Sequence, residues 1–399
     1  MISKIDYDIG ILTYSTSFKG CNGKIRLNNE DFFVSEVLDE KTISRISQDE
    51  GYAVYKLKKQ GLDTHHALSS IFKKYRLRLK ALGLKDANAT TEQYVCGINK
   101  TKQIENICAD RYSLQRIGFV KKPLTKKNMV GNHFRIKIHD SLFSHISEFK
   151  SDEKVLNFYG YQRFGSKRAV THLIGKAILQ NNFEDAVDLL LSFHSIYDSH
   201  ENSEIRQMLK DKTNYSKLID KVPPQMDLEK IALREMISSG NPKLAIRALP
   251  LMIRRLFVRA YQSYIFNLLL SNAFDYGENL FEPRDGDVCY DKNSNLGIFT
   301  NDPSQKLAIP QVGYAYSKKN RFHYHILRIL EKEEISAKDF FVREMQEVSS
   351  EGGFRQSTIK FENFLAKEPF VSFTLSRGSY ATVLLREIMK PEDPIIAGF

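Results

Sequence analysis

Strand-like segments at both ends of the chain enclose a long helical middle, and this order constrains the fold more than any other feature. Residues 31–38 and 52–59 are rich in β-branched and aromatic types, and residues 370–375 repeat that composition near the other end. Between about 171 and 332 the apolar spacing is helical, most clearly at 249–270. The pattern predicts an α+β domain of residues 1–168 and 350–399 that carries a mainly helical insertion, residues 169–349, with a cleft between the two.

Length and charge limit the class of protein. At 399 residues and 46.1 kDa the chain exceeds the usual size of one compact unit, which favours two. Its net charge of +11 suits a polyanionic partner, although charge alone is a weak indication. The four cysteines are too far apart for a zinc site or a disulfide framework, and no apolar run is long enough for a membrane span. We therefore expect a soluble, cytoplasmic protein without a membrane partner.

One helix combines an apolar stripe with a basic face. Between Asp63 and Lys80 apolar residues recur at helical spacing, and basic residues fill much of the remainder. Further strands are predicted at 93–98 and 133–138, and a second helix after Gly378. The basic residues of the first helix are Lys73, Lys74, Arg76, Arg78 and Lys80.

Asp86 lies in a loop of small, turn-forming residues, 83–91, between a predicted helix and a predicted strand. Loops of this kind present side chains to ligands, although an aspartate in such a setting usually stabilises a turn or caps a helix. The chain lacks the G-x-x-x-x-G-K-[ST], G-x-G-x-x-G and H-E-x-x-H patterns. Histidines cluster at His65-His66 and at His323 and His325, but no carboxylate or cysteine at ligand spacing completes a metal site with them. The sequence therefore predicts no cofactor and no metal.

Several segments, in order, resemble the TruD family of tRNA pseudouridine synthases. They are EDFFVSE (30–36), GLDTHH (61–66), GLKDANATTEQ (83–93), NFYGYQRFG (157–165), AYQSYIFN (260–267) and SRGSYATVLLREIMK (376–390). Two places depart from the family pattern: Tyr159 stands where the family has phenylalanine, and Ser376-Arg377 precedes Gly378 where proline is frequent. The resemblance implies a pseudouridine synthase-type mixed sheet with an inserted TRUD domain.

The implied activity is isomerisation of a uridine in tRNA to pseudouridine, with uridine 13 of the D-stem region favoured. Asp86 matches the catalytic carboxylate of the family, acting either as nucleophile on the sugar or as base at C2′. It must be ionised, so a cation has to accompany it. Lys24 and Arg386 are the two candidates, although each is also a candidate surface charge, and Glu36 is expected to orient Lys24 or a backbone group.

The resemblance also implies groups that bind the extruded nucleotide. We expect Tyr159 to stack on the uracil, with Phe158 as the alternative ring. Asn157 is expected to bond to the base edge or to the Asp86 loop. Gln162 and Arg163 are expected at the backbone of that nucleotide.

Phosphate contacts are expected from Lys85 and from three basic groups that would line a positively charged cleft. The three are the face of the predicted 63–80 helix, the run of Lys121, Lys122, Lys126 and Lys127, and the set of Arg254, Arg255 and Arg259. The partner is then tRNA, bound by a protein expected to be a monomer.

Two other functions remain open at this point. One is a catalytically idle RNA-binding protein that retains the fold, against which the intact GLKDANATTEQ segment argues. The other is an RNA hydrolase, which would need a second acid beside Asp86 that the neighbouring residues do not supply.

Overall fold

The computed structural model describes residues 2–47, 50–85, 87–100, 104–150 and 152–399, and its largest element is a mixed sheet of nine strands in this described part. Along the main path the strand order is β14-β15-β7-β1-β4-β2-β6-β5, and β3 pairs with β4. The strands are β1 Phe32–Leu38, β2 Tyr52–Gln60, β3 Leu79–Ala81, β4 Thr90–Gly97, β5 Asn106–Cys108, β6 Tyr112–Val120, β7 Met129–Lys137, β14 Phe361–Lys367 and β15 Phe370–Ser376. The strands predicted at 31–38, 52–59, 93–98, 133–138 and 370–375 are confirmed. Strands β5, β6 and β14 were not predicted.

Strand β1 lies at the middle of this sheet and sets the position of its neighbours. It pairs parallel with β4, where Phe33 faces Thr90, and antiparallel with β7 over its whole length. Phenylalanine rings on one face continue across the strands, with Phe134 at 6.1 Å from Phe32 and 5.5 Å from Phe373 between ring centroids. Because parallel strands begin at the same end, the loop before β4 lies beside the start of β1.

The basic helix is shorter than predicted. It is α3, Thr64–Tyr75, and Asp63 caps it by accepting a hydrogen bond from the His66 amide at 3.0 Å. Arg76 takes a left-handed conformation with φ +56°, which ends the helix, and residues 79–81 form strand β3 instead. The prediction that this helix reaches Lys80 is wrong, although all five basic side chains are exposed.

The middle of the chain is helical, as predicted. Its helices are α4 Thr171–Leu179, α5 Phe183–Ser192, α6 His200–Met208, α7 Tyr215–Leu218, α8 Asp227–Ser239, α9 Pro242–Ala248, α10 Leu251–Asp275 and α11 His323–Lys332. Helix α10 packs closely against α4 at Gly175, where a Cβ would lie 2.1 Å from the carbonyl oxygen of Phe257. Only glycine allows the two backbones to approach this far.

A second, smaller sheet lies within this middle region and was not predicted. Its order is β10-β9-β11-β12, with β9 Val288–Tyr290, β10 Leu296–Ile298, β11 Lys306–Gln311 and β12 Gly353–Gln356. Strand β12 lies beyond residue 349, so the chain leaves the middle region through a strand of that region's own sheet. A two-stranded pair, β8 Val155–Leu156 and β13 Thr358–Ile359, follows beside it. The domain boundaries at 168 and 349 stay predictions.

The first and last parts of the chain contact each other through a buried ion pair. The short helices α1 Lys4–Asp8 and α2 Glu40–Ile43 belong to the first part of the chain, and α12 Ala381–Met389 to the last. The carboxylate of Asp6 lies 3.0 Å from the guanidinium of Arg386, and both side chains are fully buried. Tyr161 donates a hydrogen bond to Asp6 at 2.7 Å. In the described ranges no helix combines the length and apolarity needed to cross a membrane.

Candidate active site

A cavity of about 270 Å³ lies against the large sheet where β1, β4 and β7 meet. Its wall includes Leu84, Lys85 and Ala89, which flank position 86, and side chains from β1 and β7. Ser379, Tyr380 and the first residues of α12 complete the wall. Asp86 itself lies outside the described residues. The residues on both sides of the predicted catalytic position therefore belong to one concave site.

Lys85 is held in place by a network of hydrogen bonds and one ion pair. Its ammonium group lies 3.0 Å from the Glu36 carboxylate and donates to the side-chain oxygen of Asn132 at 2.8 Å. Glu36 also accepts a hydrogen bond from the Tyr94 amide at 2.8 Å. Burial raises the pKa of Glu36, and the nearby Lys85 charge counteracts that rise. Lys85 is only 9% exposed, so its main contacts are with the protein, whereas a contact with RNA phosphate was expected. Glu36 meets Lys85 and a backbone amide, and not Lys24.

The backbone of the same loop is fixed from the side of α3. The Lys85 amide donates to the Thr64 hydroxyl at 3.0 Å, and the Lys59 ammonium donates to the Lys85 carbonyl at 3.2 Å. Lys59 is 1% exposed and lies on the same face of β2 as the buried residues Tyr55 and Leu57. Its burial serves to hold the residue directly before position 86.

A second cation on the cavity wall is Arg26, which sequence reasoning missed. Its guanidinium lies 4.0 Å from the ring centroid of Phe32 and donates to the carbonyl oxygen of Gly398 at 3.3 Å. Lys24, the predicted cation two residues earlier, lies on the surface with 48% of its side chain exposed and Asp140 at 3.9 Å. Arg26 has φ +59°, which breaks the alternation of an extended strand, so no periodic pattern distinguishes it from Lys24.

Arg386, the other predicted cation, is buried elsewhere. Besides Asp6, its guanidinium contacts the carbonyl oxygen of Thr13 at 3.1 Å and lies 3.9 Å from the ring centroid of Tyr14. It does not line the cavity. Its location is that of a buried structural ion pair between the two ends of the chain.

The aromatic residues of the NFYG segment form a layer behind the cavity. Phe158 is fully buried, and Tyr159 is 8% exposed with its ring edge-on to Phe266 and Tyr380. Tyr380, whose ring centroid lies 6.1 Å from that of Tyr159, reaches the cavity wall. The structure therefore brings Tyr380 to the cavity and places Tyr159 behind it. Tyr380 lies in the closing segment SRGSYATVLLREIMK but carries no distinguishing spacing.

Arg355, in strand β12, joins this layer to the middle region. It donates hydrogen bonds to the backbone oxygen of Asn157 at 3.0 Å, to its side-chain oxygen at 2.7 Å, and to the Phe158 carbonyl at 3.4 Å. Its guanidinium also lies 4.1 Å from the ring centroid of Tyr159. Burial lowers the pKa of Arg355. Asn157, predicted to meet the base or the Asp86 loop, is 5% exposed and is instead bound by Arg355.

Gln162 and Arg163 lie in the turn that follows this layer. Gln162 is exposed and lines the cavity. Arg163 is half-buried, with its guanidinium 5.2 Å from the ring centroid of Tyr159. Of this pair, only Gln162 reaches the site directly.

The predicted basic surfaces differ in how accessible they are. The five basic residues at and after the end of α3 are exposed, as are the lysines between 121 and 127. Arg254 instead pairs with the Glu347 side chain, and Arg255 donates to the Glu347 carbonyl at 2.8 Å. Within the described ranges, no three His, Cys, Asp or Glu side chains are grouped closely enough to hold a metal ion.

Comparison with known proteins decides the family. The family model described as tRNA pseudouridine synthase D (TruD) matches residues 8–388. The chain belongs to the TruD family. This is a family of isomerases, so the predicted enzyme class is confirmed. The predicted α+β fold is confirmed by the match to a solved TruD structure.

The TruD relatives match this chain over almost its whole length. It is similar to a protein of Methanosarcina acetivorans named "Probable tRNA pseudouridine synthase D", with 31% identity over 99% of this chain and 98% of the relative. A Pyrococcus furiosus protein of the same name is 30% identical over 96% and 99% of the two chains. A crystal structure of a candidate TruD from Methanosarcina mazei superposes with a TM-score of 0.79 at 27% identity, covering 98% of each chain.

Proposed function

We propose that this TruD-family enzyme converts a uridine of tRNA to pseudouridine with Asp86 as its catalytic carboxylate. Uridine 13, in the D-stem region, is the favoured target. The observation that carries the proposal is the cavity beside position 86, whose wall combines the cations Arg26 and Lys85 with the rings of Phe32, Phe134 and Tyr380. A flipped pyrimidine needs apolar faces to replace its lost stacking, and an ionised acid needs positive charge nearby.

The reaction exchanges one glycosidic bond for another. The bond between N1 and C1′ breaks, the uracil turns within the cavity, and C5 bonds to C1′. The hydrogen on C5 leaves as a proton, and N1, which kept the electron pair of the broken bond, takes up a proton, so the reaction is an isomerisation. No redox change or added group is required. The carboxylate acts either by attacking the sugar or by removing a proton at C2′. The aromatic faces hold the detached base while it turns, and we assign the stacking role to Tyr380 supported from behind by Tyr159.

We assign to Arg26 and Lys85 together the role of the positive charge that keeps Asp86 ionised. Both lie on the cavity wall, whereas Lys24 faces Asp140 and Arg386 is enclosed with Asp6. Lys85 already has a counter-ion in Glu36, so its free influence on a further carboxylate is reduced. Arg26, which lies over the Phe32 ring and donates to the Gly398 carbonyl, is the second positive charge on this wall.

The tRNA backbone is proposed to bind along the exposed basic residues that follow Phe72. In the described part of the chain, none of these five residues has a carboxylate within 4.0 Å, so their charges are available to phosphates. Arg254 is less available because of its pair with Glu347. A positively charged cleft between two domains, the monomeric state and the cytoplasmic location stay predictions.

Tritium release from uridine-labelled tRNA tests the chemistry directly, because the C5 hydrogen leaves only when the isomerisation occurs. Asp86→Asn should lower the rate by roughly a thousandfold or more while RNA binding remains. Asp140→Asn is the matched control, since this carboxylate is exposed and, among the described residues, its one ion pair is with Lys24. Equal tritium release by wild type and Asp86→Asn would refute the role of Asp86. Tight RNA binding with no release from wild type would favour the idle binder.

The salt dependence of tRNA affinity tests the proposed backbone interactions. Replacing Lys73, Lys74 and Arg76 with alanine should reduce the slope of log K against log salt by about 0.7 to 0.9 for each phosphate that is no longer neutralised. The same measurement on Arg254→Ala should leave the slope unchanged. Equal slopes for all variants would remove this surface from the interface.

A further inference from the structure

The last turn of the described chain, residues 393–399, lies directly behind Arg26. The Ile25 amide donates to the Ala397 carbonyl at 2.8 Å, and Arg26 donates to the Gly398 carbonyl at 3.3 Å. These contacts join residues more than 370 positions apart. We infer that the 393–399 turn is a positioning element that fixes Arg26 on the wall of the catalytic cavity, an inference that rests on the proposed function.

The contact between the turn and Ile25 requires glycine at position 398. Gly398 has φ +96°, and a Cβ at this position would lie 2.1 Å from the carbonyl oxygen of Ile25. A side chain here is therefore excluded both by conformation and by the neighbouring backbone. The oxygen that it would displace belongs to the peptide group between Ile25 and Arg26. Any shift of that peptide group moves Arg26.

The turn is itself held from two sides. The Asp393 carboxylate accepts hydrogen bonds from the amides of Ile395 and Ile396 at 2.9 and 3.1 Å, and from the Tyr197 hydroxyl at 2.7 Å. The Phe399 ring packs edge-on against Tyr161 at 5.8 Å. The turn thus has a fixed conformation before it meets Arg26.

The backbone conformation of Arg26 depends on contacts with neighbouring residues. The residue is in the left-handed region, which a non-glycine residue keeps only where its surroundings impose the conformation. Its guanidinium is fixed at one face by the Phe32 ring. The Gly398 carbonyl accepts a hydrogen bond from the same guanidinium. The two contacts together set both the direction of the Arg26 side chain and how far it reaches into the cavity.

Gly398→Ala is the test, and Gly240→Ala is its matched control. Gly240 has φ +63° and ends helix α8, but a Cβ there meets nothing within 4 Å. Both variants carry conformational strain, and only Gly398→Ala displaces the Ile25 carbonyl. We expect Gly398→Ala to lower kcat for tritium release about tenfold or more, with KM changed less than threefold, while Gly240→Ala keeps the wild-type kcat.

A double-mutant cycle separates positioning from general damage. If Gly398 acts through Arg26, adding Gly398→Ala to Arg26→Met should slow the enzyme no further. Asp393→Ala is a second variant that loosens the turn without placing an atom against Ile25, and it should show the same non-additivity. Additive losses in the cycle, or a kcat of Gly398→Ala equal to that of Gly240→Ala, would overturn the inference.

Chemical labelling provides a readout that does not depend on activity. Phenylglyoxal should modify Arg26 several-fold faster in Gly398→Ala and Asp393→Ala than in wild type, as followed by peptide mass, with the rate in Gly240→Ala unchanged. An unchanged labelling rate would refute the positioning role. A wild-type enzyme that releases no tritium would instead refute the proposed reaction, and the labelling result would still decide whether the turn fixes Arg26.

Discussion

Replacing Arg355 with methionine should separate loss of activity from loss of stability. The guanidinium makes two hydrogen bonds of 3.0 Å or less to Asn157 and one of 3.4 Å to Phe158, and it lies over the Tyr159 ring. Each bond from a charged group contributes about 1.5–3 kcal/mol to stability, and the interaction with the ring about 1 kcal/mol. Methionine keeps the apolar stem and makes none of these interactions.

The stability lost by this change should nevertheless be small. Among described residues Arg355 has no carboxylate within 4.0 Å, and burial lowers its pKa, so the wild type already bears a desolvation cost that methionine removes. We expect a net decrease of about 2 kcal/mol in the free energy of unfolding. From a typical total of 5 kcal/mol or more, that leaves over 99% of the enzyme folded.

The activity should fall much further than the folded fraction. Tyr159 would lose the nearer of the two guanidinium groups over its ring, with Arg163 left at 5.2 Å, and Tyr380 packs against Tyr159 at the cavity wall. A displacement of about 1 Å in a positioned group costs up to roughly a hundredfold in rate. We therefore expect kcat for tritium release to fall 30- to 100-fold, with urea denaturation measured on the same preparations. Wild-type kcat in Arg355→Met, or a loss of kcat no larger than the loss of folded protein, would refute this account of the aromatic layer.

Three further variants test other parts of the site. Arg386→Met should lower the free energy of unfolding by about 3–5 kcal/mol in urea, because it leaves the buried Asp6 carboxylate unpaired, and an unchanged stability would contradict the structural role of this pair. Burial lowers the pKa of His172 to about 4. Between pH 6.5 and 4 this imidazole therefore binds a proton in the unfolded chain and stays neutral in the folded chain. The free energy of unfolding of the wild type should fall by up to about 3 kcal/mol between pH 6.5 and 4. His172→Phe should lack this part of the pH dependence when urea unfolding is measured at several pH values. Glu36→Gln removes the counter-ion of Lys85 and should lower kcat about tenfold with little change in KM, a result that an unaltered kcat would exclude.

Much of the fold could be predicted because local periodicity reflects burial directly. The strand β1 has the burial alternation that its sequence implies, and the long helix α10 was predicted from its stripe. The limits of α3 could not be predicted, since Arg76 is not glycine yet takes the left-handed conformation that ends the helix. The small sheet was missed because its strands β9 and β10 have only three residues each, too few to show a period of two.

The site residues were harder to predict than the fold. Family resemblance led to the segments around Asp86 and Tyr380, but it did not say which basic residue meets the cavity. Lys24 and Arg26 differ by two positions, and their environments are separated by the positive φ of Arg26 and by its contacts with Gly398 and Phe32, none of which the sequence shows. Arg386 carries the same positive charge as Lys24 and Arg26, so charge alone does not distinguish it from them. Its pairing with Asp6 depends on the approach of two chain segments about 380 residues apart, which the sequence does not show.

This dependence on distant segments has a physical cause in how the cavity is built. One wall is the sheet with the loop before β4, the second is the start of α12, and the cation comes from the segment ahead of β1. Each wall is fixed by a partner from another part of the chain: Lys59 for the loop, Arg355 for the aromatic layer, and Gly398 for Arg26. Because a catalytic carboxylate and its cation must be held to within about half an ångström, the supporting residues matter as much as the groups that meet the base. A substitution at any of the three supports should therefore lower kcat more than it weakens tRNA binding, since the phosphates are proposed to bind on the separate basic surface near α3.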